Sequence, residues 1–290
     1  LMKQDKNISV KQEKINLGEP KSNMTKEKFM DKVNSAKKYI KEGDIYQVNL
    51  SHRFEMESQN HNPMSLYQQF KNHSPAPYSG FFNMSKGIIY SASPEQFIKV
   101  EGDYIQTRPI KGTIARGETV EKDLIQKQKL RQSKKDQAEL LMIVDLERND
   151  LGKVCEYGSV KVNSIHELET YKHVYHLVSD IEGRLTPGVS PFQAFRECFP
   201  GGSITGAPKQ RSMEIIQELE SVPRQIYTGS LGYIGFNGNL HMNIAIRTMY
   251  QVGDKLYYHV GAGIVADSEP EKEWEETLVK AQGLWDLLRA

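Results

Sequence analysis

Gly43-Asp44-Ile45-Tyr46-Gln47-Val48-Asn49-Leu50-Ser51, continued through Phe54 and Met56, alternates strictly between apolar and polar side chains. Tyr46, Val48, Leu50, Phe54 and Met56 fall on one side, and Gln47, Asn49 and Ser51 on the other. Successive side chains of a strand point to opposite faces, so a period of two predicts a strand with an apolar face for a core and a polar face open to chemistry. Upstream, Phe29, Val33, Ala36 and Ile40 recur at spacings of three and four, which predicts a helix beginning near Thr25 and stopped by Gly43. Residues 1–24 are polar and patternless and read as a tail or linker remnant of an N-terminal region. The chain opens on Leu1 rather than an initiator methionine.

Further strands are expected around 78–83, 87–93, 96–101 and 103–110, then a loop rich in Gly and Thr. Helices are expected over 118–131 and 134–149, and strands again at 159–165 and 172–184. Ser190-Pro191 is a cap followed by a first-turn proline, and Pro208 plays the same part for another helix. Asn237-Gly238 between two apolar runs signals a hairpin, and the last 20 residues, with Trp274, Leu278, Trp285 and Leu288, read as one amphipathic helix. Hairpin-linked strands with helices in blocks argue for an α+β fold rather than a doubly wound parallel sheet.

A formal net charge of +1 over 290 residues leaves no global field to attract nucleic acid. The expected partner is a small molecule or a protein. No apolar run reaches the ~18–20 residues that span a bilayer, so no membrane association is expected. Cys155 and Cys198 have neither metal-ligand spacing nor the numbers for a disulfide framework, which fits a reduced, cytoplasmic setting.

Two acidic pairs stand out. Ser133 and Asp136 form a capping box, and Asp136 and Glu139 lie three apart on one helix face; Ser268 and Glu271 form a second box, with Glu273 and Glu276 three apart and Lys280 a turn beyond. Four carboxylates without His or Cys suit a hard cation such as Mg²⁺, although acidic residues in first turns also simply complement the helix dipole. Gly201–Lys209 leads into a helix and offers backbone N–H groups to an anion, or is only a tight turn. Gly261-Ala262-Gly263 follows a strand and admits a close ligand. Arg247, in an apolar strand spanning 243–250, needs either a substrate carboxylate or an internal ion pair. Lys111 follows a strand and becomes a nucleophile only if burial or a cationic neighbour lowers its pKa; otherwise it is a solvated surface charge.

Taken together, GDIYQVNLS (43–51), Ser93-Pro94-Glu95, PIKGT (109–113), DLERNDLG (145–152), HLVS (176–179), 202–209, Ile246-Arg247-Thr248 and 261–280 resemble, in order, the motifs of the chorismate-utilising enzymes. These are the anthranilate, aminodeoxychorismate, isochorismate and salicylate synthases. The resemblance implies one catalytic domain over 25–290, built of two antiparallel β-sheets packed face to face with helices outside. It implies Mg²⁺ held by Glu139 and Glu276, with Asp136 and Glu273 as outer, water-bridged carboxylates. Arg247, Tyr227, Gly263 and Lys280 match groups that hold chorismate's carboxylates, Ser203 and His176 line the pocket with Gly112 and Thr113, and Glu95 matches a general acid.

Two positions bear on the branch. Isochorismate and salicylate synthases carry a lysine base where this chain has Gln47, which argues against water as nucleophile. Anthranilate synthases have Ala where this chain has Lys111, and PIKGT is typical of aminodeoxychorismate synthases. The resemblance therefore implies Lys111 as a covalent nucleophile in the amination of chorismate at C4, on the route to para-aminobenzoate and folate, with ammonia from a glutamine amidotransferase partner. Anthranilate synthase component I and a non-catalytic partner-binding fragment are the competing expectations. The chain departs from its relatives at Ile114-Ala115-Arg116, where they read Arg-Pro-Arg, and a counterpart of their tryptophan-binding N-terminal region is not seen.

Overall fold

The computed structural model describes residues 15, 17–58, 61–171 and 174–289. In chain order its elements begin with β1 (Lys21–Ser22), α1 (Lys26–Glu42), β2 (Gln47–Glu57), α2 (Pro63–His73), β3 (Tyr78–Met84) and β4 (Gly87–Ser93). Next come β5 (Gln96–Glu101), β6 (Tyr104–Arg108), β7 (Ile110–Ala115), α3 (Val120–Arg131), α4 (Lys134–Gly152), β8 (Lys161–Thr170) and β9 (Val174–Arg184). The remainder comprises α5 (Pro191–Cys198), a 3₁₀ turn at Gly202–Ile204, β10 (Gly206–Ala207), α6 (Lys209–Leu219), β11 (Gly232–Ile234) and β12 (Leu240–Asn243). It ends with β13 (Thr248–Val252), β14 (Lys255–Ile264), α7 (Pro270–Lys280) and α8 (Gln282–Arg289).

Among the described residues the strands form two antiparallel seven-stranded sheets, ordered β1-β2-β14-β13-β4-β3 with β10 on β2, and β11-β12-β5-β6-β9-β7 with β8 on β9. The class is α+β, as the hairpin pattern predicts. Helix α1 runs from Thr25, whose hydroxyl caps the Lys28 N–H, to Gly43 in the left-handed conformation, and buries Phe29, Val33 and Ala36. Side chains the size of Phe29 and Val33 are worth ~2 kcal/mol each when fully buried, and all three pack with Val48, Leu50 and Ile264 of the first sheet. A second cluster lies between α2, α8 and the same sheet, around Phe54, Leu66, Phe70 and Leu284. The second sheet packs its own apolar face, Phe97, Ile98, Ile105 and Ile181, on Val144 and Leu151 of α4 and on α5. Each sheet thus spends its apolar face on helices, and polar faces remain for the space between the sheets.

Several sequence expectations are corrected. The Gly/Thr-rich loop after residue 110 is strand β7; a register break between Lys111 and Thr113, at Gly112 with φ +77°, interrupts the alternation that would have revealed it. Gly261-Ala262-Gly263 lie inside β14, where the ladder with β2 runs unbroken from Lys255 to Ile264. Arg247 is outside any strand, because its left-handed backbone (φ 46°) ends the run between β12 and β13. The C-terminal helix is two, divided at Ala281, shortly before Gly283 packs closely on Ser74. Ser268 does not cap Glu271: its hydroxyl donates to Glu273 and accepts the Val265 N–H. Tyr46, read as core, is 70% exposed just ahead of β2. Of the expected tail, residues 1–14 and 16 lie outside the described residues, but Leu17 bridges to Ser58, β1 pairs with β2, and Met24 is buried. Among the described residues no helix is long and apolar enough to cross a membrane.

Candidate active site

Gln47, Asn49 and Ser51, the polar side of β2, are as buried as its apolar side. They face the space between the sheets. Opposite them, β7 delivers Lys111: a Cβ placed on Gly263 of β14 would lie 3.4 Å from Lys111 Nζ and 2.7 Å from Gln47 Nε2. Glycine is required at 263 because any side chain would fill this space. Gly112 is required on two counts. Its φ is positive, and a Cβ would press at 3.0 Å on Asp136 and Leu130 of α4 and α3.

Lys111 Nζ donates to the Ser203 carbonyl at 3.2 Å. Burial pushes its pKa down and the Lys280 charge adds to that, against the pull of Glu139, Glu95 and Glu276. The net shift is downward, toward the free amine. Glu95, which immediately precedes β5 and is 4% exposed, has its pKa raised by burial, against the Ser203 hydroxyl and the Lys111 charge. It also accepts from the Ile110 N–H at 3.4 Å. A carboxylic acid and an amine, each biased toward its neutral form, thus stand side by side.

Around this pair the other expected residues converge. His176 shares a 2.7 Å hydrogen bond between Nδ1 and the Thr113 hydroxyl, and burial, then the nearby Arg247, lowers its pKa to about 3, so it is neutral at physiological pH. Arg247 has its pKa lowered by burial, with Tyr258 and Glu95 opposing, and among the described residues no carboxylate lies within ion-pair distance of it. The internal ion pair left open by the sequence is therefore not made, and the guanidinium fork stays available. Burial raises the pKa of Tyr227, which stacks on His259 with ring centres 5.2 Å apart and whose hydroxyl lies beside Gly261. Lys280 donates to the Gly261 carbonyl at 2.9 Å and pairs with Glu276 at 2.7 Å.

The four acidic residues lie on α4 and α7. Burial raises the pKa of Glu139, whereas in Glu276 burial is outweighed by Lys280, with Lys135 and Lys111 adding, and the pKa is lowered. Lys135 stands 3.8 Å from Glu139 and 3.5 Å from Glu273, bridging the helices. Among the described residues no three carboxylate, imidazole or thiolate groups are close enough as they stand to hold a metal ion. In chemistry, however, the donors fit a hard divalent cation. All are carboxylates, and Oε2 of the buried Glu273 has no hydrogen-bond partner.

The structure also adds residues that the sequence reading passed over. Both amide atoms of Gln47 are buried without partners beside Lys111, although the sequence marked Gln47 only as part of a polar strand face and as a missing base. Arg224 binds Glu220 and also donates to the carbonyls of Ile204 and Asn49, tying the glycine loop to β2. The i,i+4 spacing of Glu220 and Arg224 was legible, but its reach to two backbone carbonyls was not.

Comparison with known proteins is consistent with this geometry. The profile of a family described as chorismate binding enzyme matches residues 3–286. Anthranilate synthase component 1 of Aquifex aeolicus is 46% identical over 264 residues, covering 91% of this chain and 53% of that protein. Aminodeoxychorismate synthase component 1 of Bacillus subtilis is 44% identical over 257 residues, covering 89% of this chain and 54% of that protein. The chain thus spans about half the length of these curated relatives. The crystal structure of anthranilate synthase component I from Streptococcus pneumoniae superposes with a TM-score of 0.83 at 35% identity, covering 92% of this chain and 59% of that one.

Proposed function

This chain belongs to the chorismate-binding enzyme family, and we propose that within it the chain is the chorismate-aminating component of an aminodeoxychorismate synthase. The observation that carries this reading is Lys111, an amine turned toward its neutral form and hydrogen-bonded to the Ser203 carbonyl, next to a carboxyl group turned toward its acid form. Chorismate carries two carboxylates and a C4 hydroxyl that leaves poorly. In the proposed sequence the Lys111 amine forms a bond to C2, both ring double bonds shift (C1=C2 to C1=C6 and C5=C6 to C4=C5), and the C4–O bond breaks as Glu95 gives its proton, releasing water. Ammonia then bonds to C4 and loses a proton to the Glu95 carboxylate, both double bonds shift back, and the C2–N bond breaks to return Lys111. The product keeps its enolpyruvyl group and bears an amino group para to the ring carboxylate.

Arg247, with its uncommitted fork, and Lys280 and Tyr227 hold the substrate's carboxylates, and Gly263 leaves room for the ring. His176, neutral and tethered by Thr113, and Ser203 line the pocket. Glu139 and Glu276, backed by Asp136 and Glu273, would hold Mg²⁺, which when bound supplies a Lewis acid that neutralises the ring carboxylate. Lys135 must give way for that. Ammonia comes from a glutamine amidotransferase partner, and the setting is cytoplasmic, on the route to para-aminobenzoate and folate.

The second reading is anthranilate synthase, favoured by the 46% identical relative of that name. There ammonia enters at C2 and pyruvate is lost. Incubation with chorismate, ammonium and Mg²⁺, followed by product chromatography, separates the two. The para-amino product with its side chain intact supports the proposal. Anthranilate as the sole product overturns it, and so does no consumption of chorismate, which would favour a non-catalytic, partner-binding role.

A further inference from the structure

The carbonyl that receives Lys111 belongs to the loop 201–207, and the two ends of that loop are held differently. Its far end is stitched to the first sheet: the Asn49 N–H donates to the Thr205 carbonyl at 2.8 Å, β10 pairs with β2, and Arg224 holds the Ile204 carbonyl. At its near end the Gly202 N–H donates at 3.0 Å to a carboxylate oxygen of Glu147, on α4. Glu147 is 2% exposed, and among the described residues no cation lies within ion-pair distance of it. The neighbouring Asp150 is different: Lys209 and Lys153 both pair with it, and Lys209 also binds the Cys198 carbonyl.

A buried acid with a second carboxylate one turn away and no ion-pair partner of its own is costly to keep, although the charge of Lys209 eases it. Burial, then Asp150, accordingly raises its pKa to about 7. An apolar residue would be the better choice for stability alone. What Glu147 supplies is an acceptor for Gly202, directly ahead of Ser203, where Leu146 already crowds the backbone: a Cβ on Gly202 would meet Leu146 Cδ2 at 2.5 Å. Either protonation state of Glu147 can offer that oxygen.

We propose that Glu147 is a positioning residue: by holding the Gly202 N–H it fixes the Ser203 carbonyl, which in turn orients the Lys111 amine. The chain of contacts is Glu147 Oε1 to Gly202 N, then Ser203 O to Lys111 Nζ. Misplacement of a reacting group by about 1 Å, even through a distant contact, can cost about a hundredfold in rate.

The test compares Glu147→Gln, which keeps an acceptor oxygen of the same shape, with Glu147→Met, which fills the space without one. Glu147→Ala serves as a second acceptor-free variant should the methionine variant not fold. The first readout rests on the proposed function: kcat and KM for chorismate amination. The second does not: the rate at which trace acetic anhydride labels Lys111 in the folded protein, by mass spectrometry, with the exposed Lys122 as internal reference. Glu147→Gln is expected to keep kcat and the labelling rate within about threefold of the parent. The acceptor-free variant is expected to lose kcat by about tenfold or more with KM little changed, and to alter Lys111 labelling several-fold while Lys122 is unaffected. Unchanged Lys111 labelling in the acceptor-free variant overturns the proposal, whatever happens to thermal stability. So does a glutamine variant as impaired as the acceptor-free one. If labelling responds as expected but no variant aminates chorismate, the positioning role stands and the functional reading falls.

Discussion

Between each sheet and its helices lie layers of Phe29, Val33, Leu50, Leu66, Phe97 and Ile105, filled by apolar side chains that match helix and strand periods. Between the two sheets lie Gln47, Glu95, Lys111, His176 and Arg247, groups that burial penalises and that the surrounding protein does not fully pair. Both layers are buried, but for opposite ends. The outer layers gain free energy from excluding water, whereas in the middle layer the same burial shifts the Lys111 and Glu95 pKa values toward the uncharged forms, at a cost to stability.

Substitutions should separate the layers. Glu139→Gln, on α4 beside Lys111 of the middle layer, is expected to lower Mg²⁺-dependent turnover by about 10³-fold while thermal stability holds, measured by Mg²⁺ titration of the rate and by calorimetry. Leu66→Ala, under α2, is expected to do the reverse: a loss of about 3 kcal/mol in unfolding free energy by denaturant titration, with kcat per folded molecule unchanged. If Leu66→Ala lowers kcat as strongly as stability, the layers are not independent. Arg247→Lys keeps the charge but loses the fork, and the specificity constant for chorismate should fall by about a hundredfold. An unaltered value would place Arg247 in the framework rather than at the substrate.

Per residue, the smallest effect concerns pH and touches both layers. His52, packed among Phe29, Phe54 and Trp274, has its pKa lowered to about 4 by burial, and His176 and His259, in the middle layer, theirs to about 3. Unfolded, each would titrate near ~6.5. Between those values the unfolded chain binds more protons, so stability is complete above the unfolded pKa and is lost as pH falls. Between pH 7 and 5 the loss should be roughly 2 kcal/mol for each histidine, read from unfolding midpoints across that range. Replacing one of these histidines with Gln should reduce the pH dependence by that amount, and an unchanged dependence would show that the ring is not held neutral.

The contrast between layers also explains what was legible in the sequence. Helix α1 and strand β2 were readable to within a residue or two because one period governs the whole segment and Thr25 and Gly43 punctuate it. Strand β7 was not, because Gly112 contributes no side chain to the alternation and a bulge shifts its phase at Lys111. The candidate site was legible as a set of motifs, and the fold brings Lys111, Glu95, Arg247, His176, Tyr227, Lys280 and Gly263 into one space. The supports were not legible. Glu147 looks like any helical carboxylate, and Arg224 like half of a surface pair, since burial and backbone partners arise only from the packing of distant elements.

The central claim is that the middle layer keeps Lys111 as a free amine that bonds to the substrate. It is tested most directly by incubating the protein with chorismate and Mg²⁺ without ammonia, then digesting it for mass spectrometry. An adduct on the peptide containing Lys111, absent from Lys111→Ala, is the expected result. Without the adduct, and with Lys111→Ala forming the same para-amino product at the parent rate once ammonium is supplied, the claim is contradicted.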